Sequence, residues 1–329
     1  MSFYEWLRSV TPDELKVYYW AAIKIYGSPW FYLGIAVILA LEWVRPAVRE
    51  QRVFSWGLLQ DFLWFNLDLA FKAAAFPAFV GFLRLLYARA TGGYVVPVLS
   101  EWPLWVKVLI SFLIFDFLQW FHHWVRHRIS ALWQFHVIHH SQRELNLFTD
   151  LRVHFVEYLV AQVITFIPMF LLGLTPGAIV GTGFVIQWYT RLIHANVRTN
   201  FGPLRHLFVS PQFHRIHHSI ERRHQDKNFG VILTLWDRAF GTLYPGYDEY
   251  PETGVEGVLF APPSGLSPLA WARDLGGQVL YPFRQLLVMT RGAGSTRTPP
   301  RAGDGPRDAP EHAGGPARRP PPGTREPRP

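Results

Sequence analysis

The chain of 329 residues contains no cysteine. This absence excludes disulfide bonds, and it excludes iron–sulfur clusters held by cysteine thiolates. The His-Pro-Gly-Gly motif of a cytochrome b5-like haem domain is absent as well. Electrons for any redox reaction would therefore have to come from a separate partner.

The sequence predicts neither a cleavable signal peptide nor a nucleic-acid-binding face. The first thirty residues include Glu5, Asp13 and Glu14 and lack a continuous apolar core, so we expect no cleavable signal peptide. The formal net charge is +8, but the basic residues are scattered between apolar runs and along the tail. This distribution favours a membrane surface over nucleic acid as the partner of the basic residues.

Apolar and aromatic residues are abundant: 50% of the chain is hydrophobic and 16% is aromatic, with 14 Trp and 26 Phe. Such a composition indicates membrane residence. Apolar segments cover 29–44, 57–87, 104–122, 155–173 and 176–193. They predict an all-α integral membrane protein, a bundle of about four to five transmembrane helices. Polar residues interrupt 57–87, which we interpret as one helix, with a re-entrant hairpin around Pro77 as the alternative.

Histidines form three motifs with helical spacing. On a helix, residues three or four apart lie on one side, so each motif directs its imidazoles together, as metal ligands require. The motifs are His123/His127, His136/His139/His140 and His214/His217/His218.

The type and number of these side chains constrain the metal. Imidazole-rich sites suit Fe, Zn, Cu and Ni, whereas carboxylate-rich sites suit Mg, Ca and Mn. Eight histidines exceed what one four- to six-coordinate ion uses, so the count predicts two metals. Residues 124–126 are Trp-Val-Arg and include no glutamate that could act as the general base of a zinc protease-like site. A zinc-dependent membrane hydrolase therefore stays an alternative, as does a non-catalytic metal-binding membrane protein.

Residues 110–245 resemble the fatty acid hydroxylase / sterol desaturase superfamily of membrane-bound di-iron oxygenases. The resemblance lies in the three histidine motifs, in Asp116 and Trp133 ahead of the first two, and in Ser-Pro-Gln-Phe at 210–213. It extends to Asp-Lys-Asn-Phe-Gly at 226–230, Trp236-Asp237 and Phe-Gly-Thr at 240–242.

The resemblance implies an oxygen-dependent oxidoreductase that hydroxylates or desaturates a C–H bond of a membrane lipid. It implies two iron ions, O2 as co-substrate and a separate electron donor, namely a ferredoxin, a cytochrome or a reductase. It also adds His194, at the end of the segment 176–193, as a ninth ligand. The expected metal ligands are His123, His127, His136, His139, His140, His194, His214, His217 and His218.

Several polar residues are candidates for orienting the ligand rings. We favour a hydrogen bond between Asp116 and a ligating ring over the alternative of a polar helix-packing role. Four further carboxylates either accept ring N–H groups or are solvated or paired with nearby arginines, namely Asp150, Glu157, Asp226 and Asp237. His154 is either a weaker ligand candidate or a partner of Glu157 or Asp150. We leave His122, His206 and His224 outside the ligand set.

The domain organisation follows the same patterns. We expect an amphipathic segment at 1–28, a membrane-embedded hydroxylase/desaturase domain at 29–245, an amphipathic segment at 246–290 and a disordered Pro/Arg-rich tail at 291–329. The histidine motifs should form a helical cap on one membrane face. Many arginines accompany them, so the positive-inside rule predicts that this face, with the active site of a multi-pass protein, is cytoplasmic.

Overall fold

The structure is a computed structural model, and it describes residues 26–96, 102–173, 186–258, 260–263 and 265–292. Most of the predicted segment 1–28, most of the predicted helix 176–193 and nearly all of the tail 291–329 lie outside these ranges.

The regular secondary structure of the described residues is helical. These residues form isolated β-bridges but no β-strand. This confirms the predicted all-helical class. The longer helices are α1 (Pro29–Val44), α2 (Trp56–Thr91), α3 (Leu104–Arg128), α4 (Ser130–His140), α5 (Phe155–Leu171), α6 (186–194), α7 (Pro211–His217), α8 (Leu235–Ala239) and α9 (Pro268–Gly292).

Helix boundaries follow local capping chemistry. Ser28 and Ser55 precede α1 and α2, and their hydroxyl oxygens accept hydrogen bonds from Trp30 N at 3.3 Å and Leu58 N at 3.1 Å. The helix α2 is continuous but bends by 44° between Phe76 and Ala78. The intervening proline removes a backbone donor, which explains the bend. The segment 57–87 is therefore one bent helix.

Helix lengths support membrane residence without fixing the number of spans. Within α3, Val108–Arg128 is long and apolar enough to cross a membrane, and the two halves of α2 would together make a second span. Two further apolar helices, α1 and α5, are shorter. The described residues thus contain one or two helices of spanning length, and the count of four to five remains a prediction.

Large apolar side chains point outward on several helices. On α1, Trp30 and Trp43 are each 77% exposed, and Trp105 on α3 is 70% exposed. Exposed apolar surface of this extent is typical of contact with lipid.

A buried carboxylate fixes the segment that follows α4. Asp61 of α2 is fully buried and accepts hydrogen bonds from Gln142 at 2.8 Å, Asn146 at 2.8 Å, Thr149 at 2.7 Å and Arg152 at 2.9 Å. Because α4 carries the second histidine motif, these bonds hold that motif against α2.

The helix α9 completes this support. It packs against α4 and α2, and its fully buried Gln278 accepts hydrogen bonds from Arg152 Nη2 at 2.6 Å and Trp64 Nε1 at 2.9 Å. Its opposite side exposes Leu287 and Val288. The helix α9 thus has a buried polar contact on one side and exposed apolar residues on the other, and the amphipathic segment 246–290 stays a prediction.

Candidate metal centre

All nine histidines predicted as ligands come together in two adjoining groups. The five-ring group contains His123, His127, His136, His140 and His217. The four-ring group contains His139, His194, His214 and His218. In each group, the ring nitrogens that could bind a metal lie within 4.8 Å of one another. The rings of His140 and His218 stack with centroids 4.4 Å apart, so the two groups touch.

Each three-histidine motif divides its rings between the two groups. In α4, His136 and His140 enter the five-ring group and His139 enters the four-ring group. At α7 the division is reversed, because the first and last histidines enter the four-ring group and His217 enters the five-ring group. Successive helical residues differ by about 100°, so the rings at i+3 and i+4 lie on either side of the ring at i. One motif therefore contributes rings to two groups. From the sequence we expected each motif to direct all its imidazoles to one side of its helix, so this division was not predicted.

The Nε2 atoms point toward the centre of each group. Nε2 of His140 lies 3.2 Å from that of His127, 3.1 Å from that of His136 and 3.1 Å from that of His217. In the four-ring group, Nε2 of His194 lies 2.9 Å from that of His214. The same atom lies 3.1 Å from Nε2 of His139. These short distances define two nitrogen-lined centres.

Three Nδ1 partners of the five-ring group come from one loop, residues 226–229. His123 Nδ1 donates to the Phe229 carbonyl at 3.0 Å, and His217 Nδ1 donates to the Lys227 carbonyl at 2.8 Å. His127 Nδ1 lies 3.5 Å from an Asp226 carboxylate oxygen. The segment 226–230 that resembles the family therefore orients three of these rings.

This loop has an unusual backbone. Asp226 and Asn228 have φ angles of 56° and 61°, in the left-handed region that Asp and Asn tolerate better than most residues. The Asn228 side chain fixes the loop, since it donates to the Phe213 carbonyl at 3.1 Å and accepts from Tyr244 N at 2.8 Å. Strained backbone at such a position is typical of a functional site.

Asp237 supports the loop from behind and touches no ligand ring. It accepts hydrogen bonds from Phe229 N at 2.9 Å, Gly230 N at 2.6 Å, Thr242 Oγ1 at 2.5 Å and Trp120 Nε1 at 3.1 Å. A Cβ at Gly230 would lie 2.8 Å from the Asp237 carboxylate, so only glycine fits there. Asp237 thus acts on His123 through the Phe229 carbonyl.

Glu157 of α5 orients a fourth ring of the five-ring group. Its Oε1 accepts from His136 Nδ1 at 2.9 Å and also pairs with Arg126. The Glu157 side chain is 1% exposed and that of Arg126 is 12% exposed. A negative charge thus lies directly behind the imidazole, where it raises the basicity of Nε2.

The four-ring group relies on carbonyl oxygens. His139 Nδ1 donates to the Thr149 carbonyl at 3.1 Å, and His194 Nδ1 donates to the Thr190 carbonyl at 2.7 Å. The buried Nδ1 atoms of His214 and His218 have no hydrogen-bond partner among the described residues. In this part of the structure, no carboxylate lies behind the four-ring group.

These contacts indicate where the protons lie. A carbonyl only accepts, so an Nδ1 atom that contacts one carries the single proton of a neutral imidazole. The Nε2 atoms of His194 and His139 therefore present lone pairs to each other, as do those of other rings held in this way. A cation between converging lone pairs would stabilise this arrangement.

Burial favours the neutral form of the rings. It lowers the pKa of the six histidines in the second and third motifs well below 6.5, and the histidines beside each ring lower that pKa further because two protonated rings would repel each other. Neutral imidazole is the form that binds a metal. The donor set fits metals that prefer nitrogen, and neither group includes a carboxylate among the described residues.

The expectations for Asp116, His154 and Asp237 were wrong, the last because Asp237 contacts neither a ligand ring nor an arginine among the described residues. Asp116 contacts no histidine, because it accepts from Ile232 N, Leu233 N and Trp236 Nε1 at 3.1, 3.2 and 2.9 Å and so fixes the chain before α8. Asp150 lies near Thr190 Oγ1 at 3.4 Å and forms an ion pair with Arg191 at 3.9 Å, which is the alternative expected for it. His154 pairs with neither acidic residue, since its Nε2 contacts the Val279 carbonyl at 3.1 Å.

The other histidines of the described residues lie outside both groups. His154 Nδ1 accepts from Val156 N at 3.2 Å and caps α5, and burial lowers the pKa of His154 to about 4. His122 contacts Gln119 at 2.8 Å, and His224 contacts the Ser219 hydroxyl at 2.8 Å.

Several known proteins are similar in sequence to the part of the chain that contains the two groups. The family model described as fatty acid hydroxylase matches residues 108–242, which contain all nine histidines. Ornithine lipid hydroxylase OlsE of Rhizobium tropici is 32% identical over 161 residues, 49% of this chain and 49% of the relative. Alkylglycerol monooxygenase of Danio rerio is 31% identical over 211 residues, 62% of this chain and 45% of the relative.

A more distant relative is a very-long-chain aldehyde decarbonylase of Oryza sativa subsp. indica, 24% identical over 188 residues, 52% of this chain and 30% of the relative. The chain spans about half the length, or less, of the curated relatives it matches. No solved structure matches it.

Proposed function

Given that the chain belongs to the fatty acid hydroxylase superfamily through residues 108–242, we propose that it is an oxygen-dependent oxidoreductase acting on a C–H bond of a membrane lipid. The two histidine groups each hold one iron ion, and the nine histidines are the ligands. Two iron ions supply the activation of O2 that an unactivated C–H bond requires.

The observation that carries this proposal is the convergence of nine imidazoles into two touching groups. Their Nε2 atoms point inward, and several Nδ1 atoms are fixed by carbonyl or carboxylate oxygens. The protein residues hold the donors in place and exclude water, since eight of the nine histidines are buried. Preorganised ligands of this kind need little rearrangement on metal binding.

The reaction requires an external reductant. In hydroxylation, one oxygen atom of O2 enters the C–H bond and the other leaves as water, with two electrons and two protons consumed. In desaturation, two hydrogens leave the substrate and both oxygen atoms become water, with the same two electrons. The chain contains no cysteine, so we propose that a ferredoxin, cytochrome or reductase supplies the electrons.

A lipid substrate fits the surroundings of the site. The relatives with matching sequence are named for ornithine lipid and alkylglycerol substrates. His123 and His127 lie in the last turns of the apolar helix segment Val108–Arg128, so the centre is at one end of a candidate span. We propose a multi-pass protein whose substrate enters from the bilayer and whose centre faces the cytoplasm.

The test combines metal analysis with oxygen uptake. The wild-type protein in detergent should contain two iron ions per chain and should consume O2 when lipid extract and reductant are present. His217→Ala should lose oxygen uptake and the iron ion of the five-ring group, whereas His206→Ala, at an exposed histidine outside both groups, should keep both ions and the uptake.

Other results would favour other functions. Lipid turnover that continues without O2 would favour a zinc-dependent hydrolase. Full metal content without any turnover would favour a structural role for the metals.

A further inference from the structure

A second set of ionisable groups, three of them buried and one partly exposed, lies outside the two histidine groups. This set, here called the Arg191 cluster, contains Arg191 of α6, Asp150, and the pair Asp68 and Lys72 of α2. The side chains of Arg191 and Asp150 are 0% and 2% exposed. Lys72 and Asp68 pair at 2.7 Å, so their charges compensate each other. Arg191 and Asp150 lack such a close pairing.

The guanidinium of Arg191 is buried without hydrogen bonds. None of its three nitrogens has a hydrogen-bond partner among the described residues, and neither has Asp150 Oδ1. The closest carboxylate contact is 3.9 Å, from Arg191 Nε to Asp150 Oδ2. The rings of Trp188 and Phe31 lie 4.8 and 5.5 Å from the guanidinium carbon and hold it in position. Five N–H donors of a fixed charge are thus available to a ligand.

Arg152 shows how a structural buried arginine differs. It is equally buried, but its Nε donates to the Ile138 carbonyl at 2.8 Å, its Nη1 to Gln60 and Asp61 at 2.7 and 2.9 Å, and its Nη2 to Gln278 at 2.6 Å. Leaving a buried charged donor unsatisfied is expensive, and the cost is recovered when a partner binds. The N–H donors of Arg191, which have no acceptor among the described residues, therefore indicate that this arginine binds a ligand and does not serve the fold.

The Arg191 cluster adjoins the four-ring group. Arg191 lies three residues before His194 on α6, a spacing that places both side chains on one side of the helix. Thr190 contacts both places, because its carbonyl accepts from His194 and its hydroxyl lies 3.4 Å from Asp150. Asp150 also follows Thr149, whose carbonyl accepts from His139. A ligand held by Arg191 would thus be beside the metal centre.

We propose that Arg191 binds an anionic oxygen, carboxylate or phosphate, in the polar head of the lipid substrate, and that Asp150 accepts a hydrogen bond from an N–H or O–H of the same head. This inference rests on the proposed function and deepens it by naming the substrate class. Because Arg191 and His194 are within one helical turn, the oxidised carbon lies in the head or beside it, not far along an acyl chain.

The properties of Asp150 agree with this assignment. Burial raises its pKa to about 7, although the nearby Arg191 charge acts in the opposite direction. A carboxyl group that is readily protonated is a weak permanent counter-ion. The charge of Arg191 is therefore available to an anionic ligand, whose bidentate contact with a guanidinium is strong and directional.

The test measures lipid binding to metal-free, full-length protein in detergent, so that it does not depend on catalysis. The probes are an N-acyl amino acid with a free carboxylate, phosphatidic acid, and diacylglycerol, which has neither group. We expect wild-type protein to bind one of the two anionic lipids at least about tenfold more tightly than diacylglycerol, the size of one charge-assisted contact. Which anionic lipid is preferred distinguishes carboxylate from phosphate.

Three variants make the result specific. Arg191→Met keeps the packing against Trp188 and should abolish the preference for the anionic lipid. The double variant Arg191→Met with Asp150→Asn removes both charges, and it should melt no lower than wild type because no unpaired charge remains buried. Arg198→Met, at an exposed arginine, should bind as wild type does.

The inference is overturned if wild-type protein shows no preference for either anionic lipid, or if Arg191→Met retains the preference. It is also overturned if active enzyme oxidises a carbon far along an acyl chain, located by fragmentation of the product. Absence of iron or of oxygen uptake in the wild type would instead contradict the proposed function, while the binding result would stand by itself.

Discussion

The two histidine groups touch each other, yet the protein supports them differently. Carboxylates of Glu157 and Asp226 lie behind two rings of the five-ring group, at 2.9 and 3.5 Å. In the four-ring group, the Nδ1 contacts of His139 and His194 are to backbone carbonyls, and His214 and His218 have no Nδ1 partner among the described residues.

This difference should give the two proposed ions different properties. A carboxylate behind an imidazole raises its donor strength and fixes the position of its proton, so the five-ring group should bind its ion more tightly. Rings without an Nδ1 partner are free to change tautomer and to turn. The four-ring group, which is also beside the Arg191 cluster, should therefore release its ion first when a chelator is added.

The largest effects should come from removing one central ligand from each group. His140→Ala should remove the ion of the five-ring group, because His140 contacts three other rings of that group, and His214→Ala should remove the ion of the four-ring group. We expect iron content to fall from two to one per chain, and activity to fall by more than the ~100-fold limit for supporting residues. His206→Ala is the control, and loss of both ions in either variant would mean that the groups are one cooperative site.

The next test removes the carboxylates. Glu157→Gln and Asp226→Asn should each weaken the five-ring ion by about 10- to 100-fold and leave the four-ring ion unchanged. Metal retained during chelator titration is the measurement. Equal weakening of both ions would contradict the assignment of these carboxylates to one group.

The variants Glu157→Gln and Asp226→Asn also distinguish an effect on metal binding from an effect on the stability of the fold. Glu157 is fully buried and paired with the largely buried Arg126, so Glu157→Gln should also lower the free energy of unfolding by about 3–5 kcal/mol, the cost of an uncompensated buried charge. Asp226 is 22% exposed, and its variant should cost much less. A combined melting and metal-binding series resolves the two effects.

A smaller effect is expected at Gly230, which acts on the five-ring group through the backbone. In Gly230→Ala the new Cβ would lie 2.8 Å from the Asp237 carboxylate and 2.9 Å from the Leu233 carbonyl. We expect a loss of about 1–3 kcal/mol in stability, typical of overpacking, with Phe229 and His123 displaced. Gly276→Ala in α9, where the new Cβ would meet no heavy atom within 4 Å beyond its own stretch of helix, should be neutral or stabilising. Equal melting temperatures for the two variants would refute the close-contact argument.

Much of the scaffold and the ligand set could be predicted from the sequence. The apolar run 29–44 coincides with α1, and the run 104–122 forms the first part of α3, which extends to Arg128. Long apolar runs with helical spacing have few other outcomes. The resemblance to the fatty acid hydroxylase family is confirmed over residues 108–242, which the family model matches. It could be predicted because the histidine motifs are local patterns that can be recognised without knowledge of the fold.

The supporting contacts could not be predicted in the same way. Carbonyl oxygens of Thr149, Thr190, Lys227 and Phe229 orient four rings, and every residue has such an oxygen, so the sequence contains no signal for them. The role of Asp116 was wrong because proximity along a helix does not say which distant chain supplies its donors. The unpartnered state of Arg191 depends likewise on tertiary packing.

The smallest effect should come from Thr149, which supports the four-ring group. Thr149→Val removes the hydrogen bond to Asp61 and the acceptor for Asn146 N, and should cost about 1–3 kcal/mol in stability. The Thr149 carbonyl, which accepts from His139, is held by the helical turn and also accepts from Arg152 N at 3.1 Å. The affinity of the four-ring group for its ion should therefore fall by less than about tenfold, which is below the effect of removing a carboxylate from the five-ring group.

Thr165→Val is the control, because the buried Thr165 hydroxyl has no partner among the described residues and its loss should not destabilise the fold. A decrease in four-ring affinity as large as that of the five-ring ion in Glu157→Gln would show that carbonyl and carboxylate supports are equivalent.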